Sequence, residues 1–171
     1  RLRLNRFINE AAARTPRHGW FYFHLEPYEP ERHEYQKSRA WLVAEKWAEG
    51  AAEKTEAYRN MIEHPPKDGW SYVMKIENKP VGFYVFGRTG KAGAGCYAGI
   101  CDYKDFPGLS EACLMETFSR LRRDGIRRVN LGGSETKELH DFKLKFKPHK
   151  LRKAIHLVYM PWFRAGSGEK A

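Results

Sequence analysis

Apolar residues recur along this chain with two periods, and each change of period marks an element. Leu4, Phe7, Ile8 and Ala11 fall at helical spacing with Arg1, Arg3, Arg6 and Arg14 around the other faces, which predicts a basic amphipathic helix over 1–14. After Thr15-Pro16 and Gly19, the run WFYFHLEPY is dense in aromatics and predicts a strand closed by Pro27 and Pro30. Residues 32–64 carry helix formers, with Tyr35, Ser38, Trp41, Leu42 and Trp47 near helical spacing and Gly50 as an interruption. Two helices, or one kinked helix, are expected there, ended by the prolines of HPPKDG.

The next phase alternates as strands do. WSYVMKIE, a turn at Asn78-Lys79-Pro80, and VGFYVFGR predict a hairpin; a glycine-rich connection, TGKAGAG, leads to a third strand, CYAGICDY. Aromatics on both faces of these strands predict burial on both sides. FPGLSEACLMETFSRLRRDG is the clearest helix, with Leu114, Phe118 and Leu121 on one stripe, arginines in its last turn and Gly125 at its stop. IRRVNLGG then makes a short strand, so a β-α-β step is expected to give a locally parallel pair. Ser134 is placed to cap a helix over 135–145, Pro148 ends it, and KAIHLVYMP predicts a last strand. The order gives an α/β fold, a mixed central sheet of antiparallel meander plus β-α-β parallel step, flanked by helices. The expected organisation is a single domain over 1–163 with a flexible tail over 164–171.

Composition narrows the class. Among 171 residues, 42% are hydrophobic, too many for a disordered chain, yet no run approaches the roughly 18 apolar residues of a membrane span. The chain begins at Arg1 without an initiator Met, which suggests a fragment, and shows no apolar secretion segment. Cys96, Cys101 and Cys113 match neither a zinc pattern nor a disulfide framework, so a reduced, cytoplasmic location without a metal is expected. The net charge of +10 attracts polyanions such as RNA, phosphorylated cofactors or anionic lipids.

The stretch VNLGGSETKELHDFKLKFKP, over 129–148, concentrates candidate chemistry. Fixed N–H donors or a positive charge can meet a developing oxyanion, and a carboxylate or imidazole can accept a proton. Lys143 and the backbone amides of Gly132, Gly133 and Ser134 are candidate donors. Asp102, Asp105 and His140 are candidate bases, while Tyr103 and Lys104 suit a ring and a phosphate. Arg120, Arg122, Arg123, Arg127 and Arg128, with Arg1, Arg3 and Arg6, are candidate RNA-phosphate contacts. The plainer readings are a glycine turn, a solvated lysine face and arginines matched to a helix dipole.

The element order resembles the GNAT fold of N-acyltransferases. NLGG followed by a short helix bearing DFKLKF is similar to the second GNAT lobe of FemX-like aminoacyltransferases, with related patterns in the C-terminal domain of lysyl-phosphatidylglycerol synthases. That resemblance implies an aminoacyl-tRNA donor and no further cofactor. Its acceptor would be an amine of a small molecule, peptide or cell-envelope precursor. It also implies that Lys143, with Phe142 beside it, steadies the oxyanion and the tRNA terminus, and that a second lobe or a homodimer partner exists. The CoA-binding signature of the wider fold, Q/R-x-x-G-x-G/A, is absent from CDYKDFPGLSEACL, and the glycines of TGKAGAG fall one connection too early. Two alternatives stand beside the tRNA-dependent enzyme: an acyl-CoA-dependent N-acetyltransferase acting on an amine or sugar, and a non-catalytic RNA-binding lobe.

Overall fold

A computed structural model describes residues 23–48, 52–102, 104–134 and 136–151. The chain divides into two compact units at Gly132/Gly133. In the first, β1 (Phe23–Pro27) is followed by α1 (Tyr35–Trp47), α2 (Ala52–Glu63), β2 (Gly69–Ile76), β3 (Lys79–Arg88), β4 (Gly93–Cys101), α3 (Leu109–Arg123) and β5 (Arg128–Asn130). The second holds α4 (Lys137–Leu144). The strands form one sheet in the order β1-β2-β3-β4-β5, antiparallel through β4 and parallel between β4 and β5.

The aromatic alternation of β3 explains why it is central. Phe83 and Val85 enter a core with Val73, Ala98 and Ile100 under Tyr28, Ala40, Val43, Ala44 and Ile62. Tyr84 and Phe86 alternate to the other face, the side of the sheet on which α3 buries Leu109, Ala112, Cys113, Leu114 and Leu121. Residues 81–87 are therefore buried without interruption, as a strand covered on both sides requires. Gln36, 1% exposed, ties α1 to the end of β1 by donating to Pro27 O at 2.8 Å and Glu26 Oε1 at 2.9 Å and accepting from Glu29 N at 2.6 Å. Tyr28 Oη donates to Ile62 O at 2.7 Å, which pins α2.

Four expectations are revised. The hairpin turn is Glu77–Asn78, because Ile76 pairs with Lys79, and Pro80 lies inside β3; Glu77 takes the left-handed φ of 55° that the tight turn needs. Gly93 and Gly95 belong to β4 rather than to a connection, since they face Arg128 and Asn130 in the parallel ladder. Thr136, not Ser134, caps α4, its Oγ1 accepting from Leu139 N at 3.2 Å. The strand of IRRVNLGG is confined to Arg128–Asn130. The predicted helix over 1–14, the strand KAIHLVYMP and the tail over 164–171 lie outside the described residues, as do Arg1, Arg3, Arg6 and Tyr103.

Candidate functional site

Three features converge on β4. Its parallel pairing with β5 covers only Gly93–Gly95, and Cys96–Cys101 run on past the last paired residue. The crevice outside the carboxyl ends of parallel strands is where α/β sheets bind ligands. A bulge lies just past the last parallel pair: Val85 faces Ala98 and Phe86 faces Cys96, leaving Tyr97 as the extra residue. A bulge takes one residue's backbone out of the ladder and re-aims its side chain. The Tyr97 ring is 55% exposed and lies over Gly87, where a Cβ would sit 2.2 Å from Cε2.

The third feature is the loop between β4 and α3. Asp102 N donates to Val81 O at 2.8 Å, which continues the strand by one residue, and the chain turns as Phe106 N reaches Asp102 O at 3.3 Å. Gly108 supplies the left-handed φ of 89° at the N-terminus of α3, with no side chain capping it. The uncapped helix start offers amide donors to an anion. Two carboxylates in the loop would oppose that, but both are engaged by one cation. Lys46, from the last turn of α1, donates to Asp102 and to Asp105 Oδ2 at 2.6 Å. The hydrogen bonds to Asp102, then Asp105, raise the Lys46 ammonium above its ordinary range, and Lys46 lowers the Asp105 carboxyl. Asp102, with its side chain 8% exposed, is thus an ion-paired anchor of the loop. Lys104 is exposed beside it.

Beneath the loop is a buried polar cluster. Cys101 Sγ lies 3.0 Å from Ser110 Oγ, and its thiol is pushed down by hydrogen bonding to Cys113, against the effect of burial, with Ser110 and Tyr84 adding to the same side. Burial pushes Tyr84 and Cys113 up.

After β5, Asn130 Oδ1 accepts from Gly132 N at 2.9 Å, and Gly132 takes a φ of 73°, so the first glycine of NLGG serves an Asx turn. In the second unit, Gly133 and Ser134 are exposed and Lys143 donates from Nζ to Gly133 O. Phe142 and Phe146 meet edge to face at 5.5 Å, and the Lys145 ammonium stands 5.1 Å above the Phe142 ring. His140 is exposed, three residues before Lys143. Among the basic candidates, Arg120 and Arg123 are held by Glu116 Oε1 at 3.2 and 3.7 Å, whereas Arg122, Arg127 and Arg128 are exposed. Lys46 and Tyr97 were not legible as site residues. Lys46 meets its partner 56 positions away, and the bulge that turns Tyr97 outward leaves no mark on the alternation around it.

No family model matches the sequence, and no curated protein matches it. Solved structures do. An aminoglycoside acetyltransferase from an uncultured soil metagenomic sample, in complex with sisomicin, is similar over 81% of this chain and 95% of its own, with a TM-score of 0.60 and 16% identity. An acetyltransferase of Trypanosoma brucei is similar over 81% of this chain and all (100%) of its own, with a TM-score of 0.54 and 17% identity. An aminoglycoside N-acetyltransferase in complex with CoA is similar over 86% of this chain and 99% of its own, with a TM-score of 0.58 and 8% identity. The fold is therefore that of the GNAT acetyltransferases. Among the described residues no helix is long and apolar enough to cross a membrane.

Proposed function

We propose that this chain is an N-acyltransferase that takes its acyl group from an acyl-CoA thioester and gives it to an amine. The observation that carries the reading is the end of the β4–β5 pairing at Gly95, beside the Tyr97 bulge, in a fold shared with an acetyltransferase seen with CoA. The amine attacks the thioester carbonyl, an oxyanion forms, the amine proton leaves and free CoA thiol is released. Backbone amides of the β4 bulge are the donors for the oxyanion, since the extra residue's backbone stands outside the ladder. The uncapped start of α3, Gly108 and Lys104 suit the phosphates of CoA, with Lys46 neutralising the carboxylates nearby.

This reading reverses the preference for an aminoacyl-tRNA donor, for which the structural likenesses give no support. It also moves Asp102 from a base to an anchor, because its carboxylate is already engaged by the Lys46 ammonium. Lys143 and His140 stay as the proposed polar groups of the second unit. The lost signature glycines are the feature that the tRNA reading explained and this one must accommodate through Gly108.

The test is release of free thiol from acetyl-CoA in the presence of aminoglycosides, polyamines and peptides with free N-termini, with CoA-induced thermal stabilisation measured in parallel. A ligand that binds only the folded state raises the melting temperature as its concentration passes Kd. Stabilisation by CoA with amine-dependent thiol release supports the reading. Transfer of a labelled amino acid from charged tRNA, without any effect of CoA, would overturn it.

A further inference from the structure

The cations of the first unit are distributed unevenly. Around β1, α1 and α2 they are matched: Arg32 with Glu29, Arg39 and Lys75 with Glu26, Lys37 with Glu63, Arg59 with Glu56. At the other end of the sheet they are not. Gly125, with φ of 81°, ends α3 in a turn in which Ile126 N donates to Leu121 O at 2.9 Å and Gly125 N to Arg122 O at 3.1 Å. That turn delivers Arg127 and Arg128 directly against the β3–β4 hairpin, where both amides bond to Ala92 O at 3.0 and 3.1 Å. Arg88 at the end of β3 pairs with Ala94, which in turn pairs with Val129. Arg88, Lys91, Arg122, Arg127 and Arg128 are thereby gathered from three elements onto one exposed end. Among the described residues none of the five makes an ion pair. Of the acids nearby, Glu116 holds Arg120 and Arg123, and Asp124 accepts from the neutral Trp70 indole at 2.7 Å, which leaves one carboxylate charge against five cations.

We infer that this end of the sheet is a docking surface for the phosphate backbone of a polynucleotide. Unmatched like charges held together by backbone hydrogen bonds repel one another, and a polyanion removes that cost while releasing its own counterions. Four of the five cations are arginines, whose planar forks match phosphate oxygens in pairs. Spread over adjacent elements, they follow a line of charges rather than one point charge. A lipid surface fits less well, because membrane association needs large apolar side chains beside the cations. Of the first unit's large exposed side chains, Tyr35, Leu42 and Met115 lie outside the hairpin tip and the end of α3, and Tyr97 reaches the hairpin over Gly87. The parallel strands begin at this end, before the Tyr97 bulge and the Asp102 loop of the proposed acyl site, and the surface does not depend on that reading.

The test is fluorescence anisotropy of the full chain with labelled single-stranded RNA and single-stranded DNA of one sequence, over a salt series. Binding is expected to weaken with salt. The Arg122→Glu, Arg127→Glu, Arg128→Glu triple variant is expected to lose about tenfold or more in affinity and about 2 in the log–log salt slope, at about 0.7 for each phosphate no longer neutralised. A variant with the same charge change elsewhere, Arg32→Glu, Arg59→Glu, Lys137→Glu, is expected to keep the slope. Circular dichroism of both variants checks that they fold. Whichever polynucleotide binds more tightly names the source. Equal losses in the two variants, no binding at low salt, or equal capture by poly-glutamate or phosphatidylserine vesicles would each overturn the assignment.

Discussion

Lys46 on α1 and Asp102 at the end of β4 form an ion pair that joins the helix layer to the loop leading into α3. The carboxylate is almost enclosed, with 8% exposure, while the lysine is 38% exposed. The two ends of the bond are therefore unequal. Removing the lysine leaves a buried charge unanswered, whereas removing the charge leaves a lysine that water can solvate. Lys46→Met is expected to cost about 1–3 kcal/mol in urea unfolding, and adding Asp102→Asn should recover part of that loss. If the two substitutions add within about 0.5 kcal/mol, the pair is not coupled and the loop is held by its backbone bonds alone.

Glu26 gives the fold a defined acid limit. Burial would raise its carboxyl, but hydrogen bonds from Lys75, Gln36 and Tyr35 outweigh that and hold it near 2, down from an ordinary 4.5. A depressed folded-state value stabilises the folded chain above the ordinary carboxylate range, and the benefit disappears as pH falls from about 4.5 toward 2. At 15% exposure the full contribution is about 3 kcal/mol. Unfolding free energies of the wild type and Glu26→Gln, measured from neutral pH downward, should differ most at neutral pH and converge in acid. A constant gap across that range would rule out charge as the cause.

These two networks join residues that no local sequence pattern links. The two-sided aromatic pattern of VGFYVFGR announced a central strand, and the stripe of Leu114 and Leu121 announced α3, because each is a local pattern recorded in consecutive residues. Lys46–Asp102 spans 56 positions, and no local pattern encodes it. NLGG reads as an anion cradle; the structure gives Gly132 an Asx turn, which the same letters specify equally well. Gly93 and Gly95 read as a linker because glycine is a weak strand former, and the ladder with β5 overrode that preference.

Gly69 and Gly87 face each other across β2 and β3, and both are tight, but against different neighbours. A Cβ at Gly69 would meet Phe86 O at 2.3 Å, a backbone atom that shifts only with its strand. At Gly87 it would meet the end of the exposed Tyr97 ring, which can swing aside. Gly69→Ala is therefore expected to cost about 2 kcal/mol or more, and Gly87→Ala under about 1 kcal/mol. Thermal unfolding of the two variants decides the order. Because Gly87→Ala displaces Tyr97, it also serves the acyl-transfer reading: its effect belongs in the KM for the amine, with the melting temperature nearly unchanged.

Lys143 supports two roles that kinetics can separate. Its ammonium donates to Gly133 O, which fastens α4 to the turn before it. An ammonium has three N–H donors, so this bond does not by itself exclude service to an oxyanion. If Lys143 only fastens the turn, Lys143→Ala lowers the melting temperature and leaves kcat with acetyl-CoA intact. If it meets developing charge, kcat falls by about a hundredfold while KM and stability hold, since the interaction exists only in the transition state. The first outcome is the one expected, because the bond to Gly133 O ties Lys143 within the second unit while the proposed oxyanion donors are β4 amides of the first. His140→Ala is the companion measurement: the loss of an ionisation from the pH profile of kcat/KM would mark it as the base, and an unchanged profile would remove it from the mechanism.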